Sequence, residues 1–358
     1  MKFRALKYGM VFTAIGLGFV SLIIGGPWVY ALPIYAFGMV PLLELFFKPD
    51  PRNLNKAEME LVKADRLYDY LVYLVVPIQY SMVFFFCYLV AFRDLTWWEL
   101  FGATWSVGIG CGVLGINAAH ELGHRHKKYE QWMSKSLLLT SLYMHFFIEH
   151  NRGHHANVST PEDPASSRKG EILYTFWFRS VINSYISAWK IENSRLRRNN
   201  LPVFSIHNEM LLYQFAQAAF LGVIFAFFGL QAMLLFVVAA VIGFLLLETV
   251  NYIEHYGLQR ELESNGRYER VKAHHSWNSD HPVGRLLLFE LSRHSDHHHR
   301  SGRKYQILRH IENTPQMPTG YPGMMTLSFF PPLWFAVMNP LVEKYQGNPE
   351  ASPDIAFA

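Results

Sequence analysis

The chain has 358 residues, of which 51% are hydrophobic and 17% charged. Its mean hydropathy is barely positive because long apolar runs are segregated from polar, His/Arg/Asp-rich blocks at 122–208 and 252–326, which argues against a single soluble domain. The formal charge of +4 reflects the sidedness derived below and does not point to a nucleic-acid partner. Two cysteines without a C-x-x-C pair exclude a zinc ribbon, a rubredoxin-like iron site or a disulfide framework in this chain.

Taken in chain order, six runs approach the roughly 20 apolar residues that cross a bilayer. They lie at 8–26, 29–47, 69–92, 97–120, 209–229 and 231–250. The first follows Lys2, Arg4 and Lys7, and with no clean cleavage site after it, it reads as a retained helix. Tight breaks at Gly25-Gly26-Pro27, Arg93-Asp94 and Gly229-Leu230-Gln231 pair the runs into three helical hairpins. Pro33, Pro41 and Pro77 predict kinks that neighbouring helices absorb. With the N-terminus cytoplasmic, only Arg93 of the 32 Lys and Arg residues falls outside, a strong positive-inside asymmetry. The expected fold is therefore an all-α integral membrane protein, one domain over 1–358. Its six transmembrane helices carry a cytoplasmic histidine-rich cap built from 121–208 and 251–345, with both termini in the cytoplasm. The apolar stretch Leu327–Val342 is short and broken by Pro331-Pro332, so it is expected to lie at the interface or to cap the polar region. The tail from Asn348 is expected to fray.

All seventeen histidines lie between His120 and His310, clustered at the cytoplasmic ends of the spans. The first cluster, "HELGH" from His120 to His124, is the H-E-x-x-H of zinc proteases, in which the glutamate is the general base. It does not stand alone. "EHNRGHH" (Glu149–His155), "NYIEHYG" (Asn251–Gly257) and "RHSDHHH" (Arg293–His299) follow. Spacings of three and four place imidazoles on one helical face. His120, His124, His150, His154, His155, His255, His294, His297 and His298 are nine candidate metal ligands. One catalytic zinc needs about three; nine suit two ions at four to five each. Imidazole does not choose between zinc, copper, iron and nickel. Glu121, Glu149, Glu254 and Asp296 are read as acceptors that orient ligand rings, whereas His145 and His207 read as ordinary hydrogen-bonded histidines. A metal transporter would place ionisable groups mid-span; only Glu44 and Glu248 come close, and both lie near span ends.

These motifs, in this order and with six spans, resemble the integral-membrane alkane 1-monooxygenases of the histidine-box desaturase and hydroxylase superfamily. "HSWNSDH" (His275–His281) and "YQILRHIENTPQMPTGYPGMM" (Tyr305–Met325) extend the likeness across nearly the whole chain. Ser292, the extra His299 and Gly123 depart from the usual pattern, and none removes a candidate ligand. The resemblance implies two non-haem iron ions that use O2 to convert a medium-chain n-alkane to its 1-alcohol. It also implies electrons from NADH through a reductase and rubredoxin, and a place in the bacterial inner membrane with the site on the cytoplasmic side. A membrane fatty-acyl desaturase or lipid hydroxylase is the alternative within the superfamily.

An alkane offers no hydrogen bond, so shape must position it. Phe37, Leu42, Val107, Ile116, Leu142 and Leu245 are candidates for the wall of a tunnel between spans that collects substrate from lipid. Arg168, Lys169, Arg179, Arg195, Arg197 and Arg198 form a basic region that could steer an acidic electron carrier or meet anionic headgroups.

Overall fold

The structure is a computed structural model that describes residues 4–346; the tail from Asn348 lies outside the described residues. Among these, the regular elements are helical, and only isolated bridges occur at Leu262–Tyr268 and Asn278–Gln316. Five helices are long and apolar enough to cross a membrane: α1 (Arg4–Ile24), α2 (Gly26–Glu44), α4 (Leu67–Phe92), α5 (Trp97–Gly123) and α9 (Glu209–His255). Between and after them lie α3 (Lys56–Ala64), α6 (Lys128–Leu139), α7 (146–157), α8 (Leu173–Arg198), α10 (Pro282–Leu287), α11 (His294–His299), α12 (Tyr321–Ser328) and α13 (Pro331–Gln346).

The fifth long helix contains 47 residues and is interrupted at Gly229, whose φ of 80° and ψ of 177° leave the helical region. Phe220 and Phe236 on either side meet edge to face at 5.4 Å. In a straight helix their sixteen-residue separation would amount to about 24 Å, so the chain doubles back at Gly229. Gly25 and Gly26 (φ 70° and 54°) make the same kind of left-handed reversal between α1 and α2, which a side chain would resist. The start of α5 is fixed by Thr96 and Glu99. Glu99 Oε2 accepts from the Thr96 amide at 2.9 Å, while its Oε1 accepts from the Gly26 amide at 2.8 Å. One carboxylate thus caps a helix and joins two hairpin tips.

Observed boundaries differ from the sequence reading by a few residues. The second run, expected to reach residue 47, stops being helical at Glu44. The Glu44 carboxylate is held by the Gly284 amide at 2.7 Å and lies so close to Gly320 that any side chain there would collide with it. The anchor ties the end of α2 to α10 and to the loop that precedes α12. Conversely, α5 runs on to Gly123, past the expected residue 120. A π-helical stretch, Gly110–Ile116, widens its middle, where Gly112 and Gly243 let the backbones of α5 and α9 approach, as small residues do between membrane helices. The C-terminal apolar segment becomes α13. Trp334, Met338 and Val342 form its buried stripe, and Trp334 lies 5.3 Å from both Tyr252 and Tyr256 at the end of α9. Pro331 and Pro332, which made a span unfavourable, open this helix at positions where their missing N–H donors are not needed.

Candidate metal centre

Four helix ends bring the histidines together. His120 and His124 sit one turn apart at the end of α5, and His255 is the last residue of α9. His150, His154 and His155 come from α7, whose π turn at His150–His154 redirects the chain between two helical pieces. His294, His297 and His298 lie on α11. Their Nε2 atoms converge. In one set His120 is 3.1 Å from His297, His124 is 3.0 Å from His150, and His155 is 3.2 Å from both His150 and His297. In the other, His294 is 3.2 Å from His255 and 2.9 Å from His298, which is 3.3 Å from His154. Eight of the nine rings form two metal-capable groups of four, His120, His124, His150 and His297 in one and His154, His255, His294 and His298 in the other, and His155 flanks the first. The sets adjoin, with the rings of His155 and His298 centred 4.6 Å apart. His299 takes part in neither metal-capable group.

Separations near 3 Å between ring nitrogens match those between neighbouring ligands of a single ion with bonds of about 2.1 Å. The protonation state suits this as well. Burial, followed by the proximity of other imidazoles, pushes His150, His294, His297 and His298 well below the usual histidine value of 6.5. These rings are neutral at pH 7. An outer partner fixes which nitrogen of His154 carries the proton, since its Nδ1 is 2.9 Å from Asp163 Oδ2; His294 Nδ1 lies 3.2 Å from Glu254 Oε1 without a hydrogen bond. A proton held at Nδ1 leaves the Nε2 lone pair facing inward. Inward-facing lone pairs at this spacing repel unless a cation lies among them, so the donor set fits one metal ion per group.

Of the four carboxylates expected to orient ligand rings, Glu254 stands beside one. Glu121 instead accepts from Arg125 Nε at 2.9 Å, because the i, i+4 spacing puts that guanidinium over it. Asp296 accepts from Arg303 at 2.6 Å and from the Arg309 amide at 2.9 Å. Glu149 faces the Gly153 backbone, and its Oε1 has no hydrogen-bond partner. The residue that sequence reasoning missed is Asp163. It lies in a turn nine positions beyond His154, outside any helical spacing, where the Ala165 amide and the Ser166 hydroxyl hold it at 3.1 and 2.6 Å. Replacing it, Asp163→Asn, should weaken metal retention by about 10- to 100-fold. Metal content after a graded chelator challenge measures this, and wild-type retention would show that Asp163 does not set the ring.

An apolar cavity abuts the rings. Val113, Asn117, Leu246, Leu288, Leu291 and Met325 line it together with His120, His150 and His294. A second cavity, walled by Tyr35, Phe37, Val40 and Ile109, shares Val113, Leu288 and Met325 with the first. Of the tunnel candidates, Phe37 lines this second cavity, and Leu42 lines an open groove with Leu45 and Phe330. Val107, Ile116, Leu142 and Leu245 line none of the three cavities. Val107 and Ile116 are consumed by helix packing, each fully buried, and on α9 it is Leu246 and Leu247 that face the cavity. Counting back from His120 by one and two turns finds Asn117 and Val113, so a helical register drawn from the ligand would have located this wall.

The basic region is largely satisfied from within. Arg179 grips Glu171 at 2.7 and 2.8 Å and the Pro164 and Ser166 carbonyls at 3.1 and 3.0 Å. Arg195 grips Glu192 at 2.8 Å, and Lys169 pairs with Glu343 at 2.8 Å. Arg168, Arg197 and Arg198 stay exposed.

Residues 95–328 match the fatty acid desaturase family. The chain is 41% identical over 321 residues to alkane 1-monooxygenase 1 of Alcanivorax borkumensis, covering 90% of this chain and 79% of that one. It is also 41% identical over 306 residues to alkane 1-monooxygenase of Pseudomonas putida, covering 86% and 76%. It belongs to the alkane 1-monooxygenase family. The hydroxylase component of xylene/toluene monooxygenase from Pseudomonas putida is more distant, 26% identical over 336 residues. For an alkane 1-monooxygenase the architecture is apt: apolar helices of membrane-crossing length end in a metal-capable histidine cage, and a water-poor cavity reaches that cage.

Proposed function

We propose that this chain inserts one atom of O2 at the terminal carbon of medium-chain n-alkanes, giving the 1-alcohol. The observation that carries the reading is the apolar cavity that ends on two convergent sets of imidazole nitrogens. His120, His124, His150, His155 and His297 would hold one iron, and His154, His255, His294 and His298 the other. Bound there, the iron pair supplies the O2-activating redox chemistry. The protein does the rest. Asp163 keeps the proton on the outer ring nitrogen of His154, and the apolar wall excludes water. Each buried methylene contributes about 0.8 kcal/mol to holding the chain, so affinity needs no polar contact. Val113, Leu288 and Met325 line both cavities, and an apolar passage bounded by them admits a chain end more readily than its middle, which favours the terminal carbon.

The reaction balances as alkane, O2, two electrons and two protons going to alcohol and water. The chain has no redox-active cysteine pair, so the electrons come from outside, from NADH through a reductase and rubredoxin. The exposed Arg168, Arg197 and Arg198 are the part of the basic region available to steer an acidic carrier. Counting the chain reversal at Gly229 as a hairpin gives six spans. Positive-inside charge then sets both termini and the histidine cage on the cytoplasmic side of the bacterial inner membrane.

Purified protein loaded with iron and supplied with rubredoxin, its reductase, NADH and octane under 18O2 should give 18O-labelled 1-octanol. A desaturated acyl chain formed from an acyl-CoA, with octane untouched, would favour the desaturase alternative. Retention of a solitary zinc in active protein would overturn the two-iron reading.

A further inference from the structure

The cavity beside the histidines is apolar except for a few groups, and most of these are committed. The ring nitrogens face one another. Asn251 donates to Glu248 Oε2 at 3.2 Å, whereas Glu254 Oε1 comes within 3.2 Å of His294 Nδ1 without a hydrogen bond and is already beside a ring. The uncommitted donor is Asn117. It is 7% exposed, it lines the cavity, and its Nδ2 is buried without a hydrogen-bond partner. It follows directly on the π-helical stretch Gly110–Ile116, a distortion frequent at functional positions, and stands one turn before His120 on the same face. A dry, unpaired amide is destabilising, so its retention calls for a partner that arrives during the working cycle. An n-alkane cannot be that partner. The alcohol formed from it carries one hydroxyl, on the carbon that has just been next to His120.

We propose that Asn117 is a positioning residue that receives the hydroxyl of the newly formed 1-alcohol. The inference rests on the alkane-hydroxylating reading and extends it to how the product is held. A hydroxyl both donates and accepts, so it can bond to either end of the amide, whichever way the amide is turned. The cavity then discriminates between two chains of the same length by a single bond. The alcohol is held more tightly than the alkane, and its release requires that bond to break.

The test compares ligands without turnover. Iron-loaded, unreduced protein in nanodiscs of fixed lipid content is titrated with octane and with 1-octanol, and each affinity is read from the rise in thermal midpoint. Lipid partition is common to all variants and cancels. In Asn117→Leu the affinity for 1-octanol relative to octane should fall about tenfold, the size expected for one hydrogen bond sheltered from water. Octane should bind as well as before or better. Asn117→Ala serves the same comparison if the bulkier leucine prevents folding. General damage to the fold would weaken both ligands together. An unchanged octanol-to-octane ratio in the variants overturns the role of Asn117. Failure of octane to shift the wild-type midpoint overturns the alkane-binding reading of the cavity itself.

Discussion

Replacing His294 with alanine should reduce the iron that survives a chelator challenge from about two ions per chain toward one, and alkane turnover should fall by at least about 100-fold, the upper end of what loss of an outer partner costs. His294 belongs to a four-ring set, in which every member counts. Its Nε2 lies 3.2 Å from His255 and 2.9 Å from His298, so it links the end of α9 to α11. Without it, three imidazoles remain from two separate helices and α7, and the void left behind admits water to a site that was dry. The other set retains all its members, which is why one ion should persist. His299→Ala is the matched control. It removes the fourth histidine of the same short helix, but one outside the metal-capable groups, so metal content and turnover should stay near wild type. Metal analysis by mass spectrometry together with 1-octanol formation decides the matter. Two tightly held ions in the His294→Ala protein would refute the division into two separate groups.

The histidine cage was legible in the sequence because helical spacing is a short-range rule. Imidazoles three or four positions apart share a face whatever the rest of the chain does, and the four clusters needed only to meet. Hairpin turns were legible for a similar reason, since Gly25, Gly26 and Gly229 adopt backbone angles that few other residues tolerate. What depends on distant partners was not legible. Asp163 reaches His154 from an irregular turn, and Glu121 and Asp296 are drawn off by arginines four and seven residues later. Arg179 and Arg195, which looked like surface charge, are clips that close on nearby carboxylates and carbonyls. The tunnel candidates on α5 and α9 sit off the described cavity walls by register: on α9 one step along the helix turns a side chain by about 100° and exchanges Leu246 for Leu245. Sequence picked out the histidines that converge, and tertiary contacts determined how they are held.

The second large effect is expected at Arg125, which touches no metal. It is 5% exposed and holds two buried carboxylates at once, Glu121 at 2.9 Å and Asp69 at 2.9 Å. Lys304 adds its ammonium to Asp69 at 2.7 Å, and the Tyr305 amide approaches Glu121 at 3.3 Å. The group therefore ties α4 to the end of α5, and both to the segment that follows α11. Three elements that carry or flank the ligands are joined through one guanidinium. Arg125→Leu would leave Glu121 without its counter-ion and Asp69 with Lys304 alone. Breaking a buried pair from one side costs about 3–5 kcal/mol, because the orphaned charge remains dry. The thermal midpoint should fall sharply, and the iron should become easier to strip because α11 loses its backing. Arg125→Lys should recover only part of the loss, since an ammonium cannot reach both carboxylates with the planar fork. Adding Glu121→Gln to Arg125→Leu should restore more than Arg125→Lys does, by removing the stranded charge itself. If the double variant is less stable than Arg125→Leu alone, charge compensation is not what this arginine provides, and its packing against the helix ends must carry the effect.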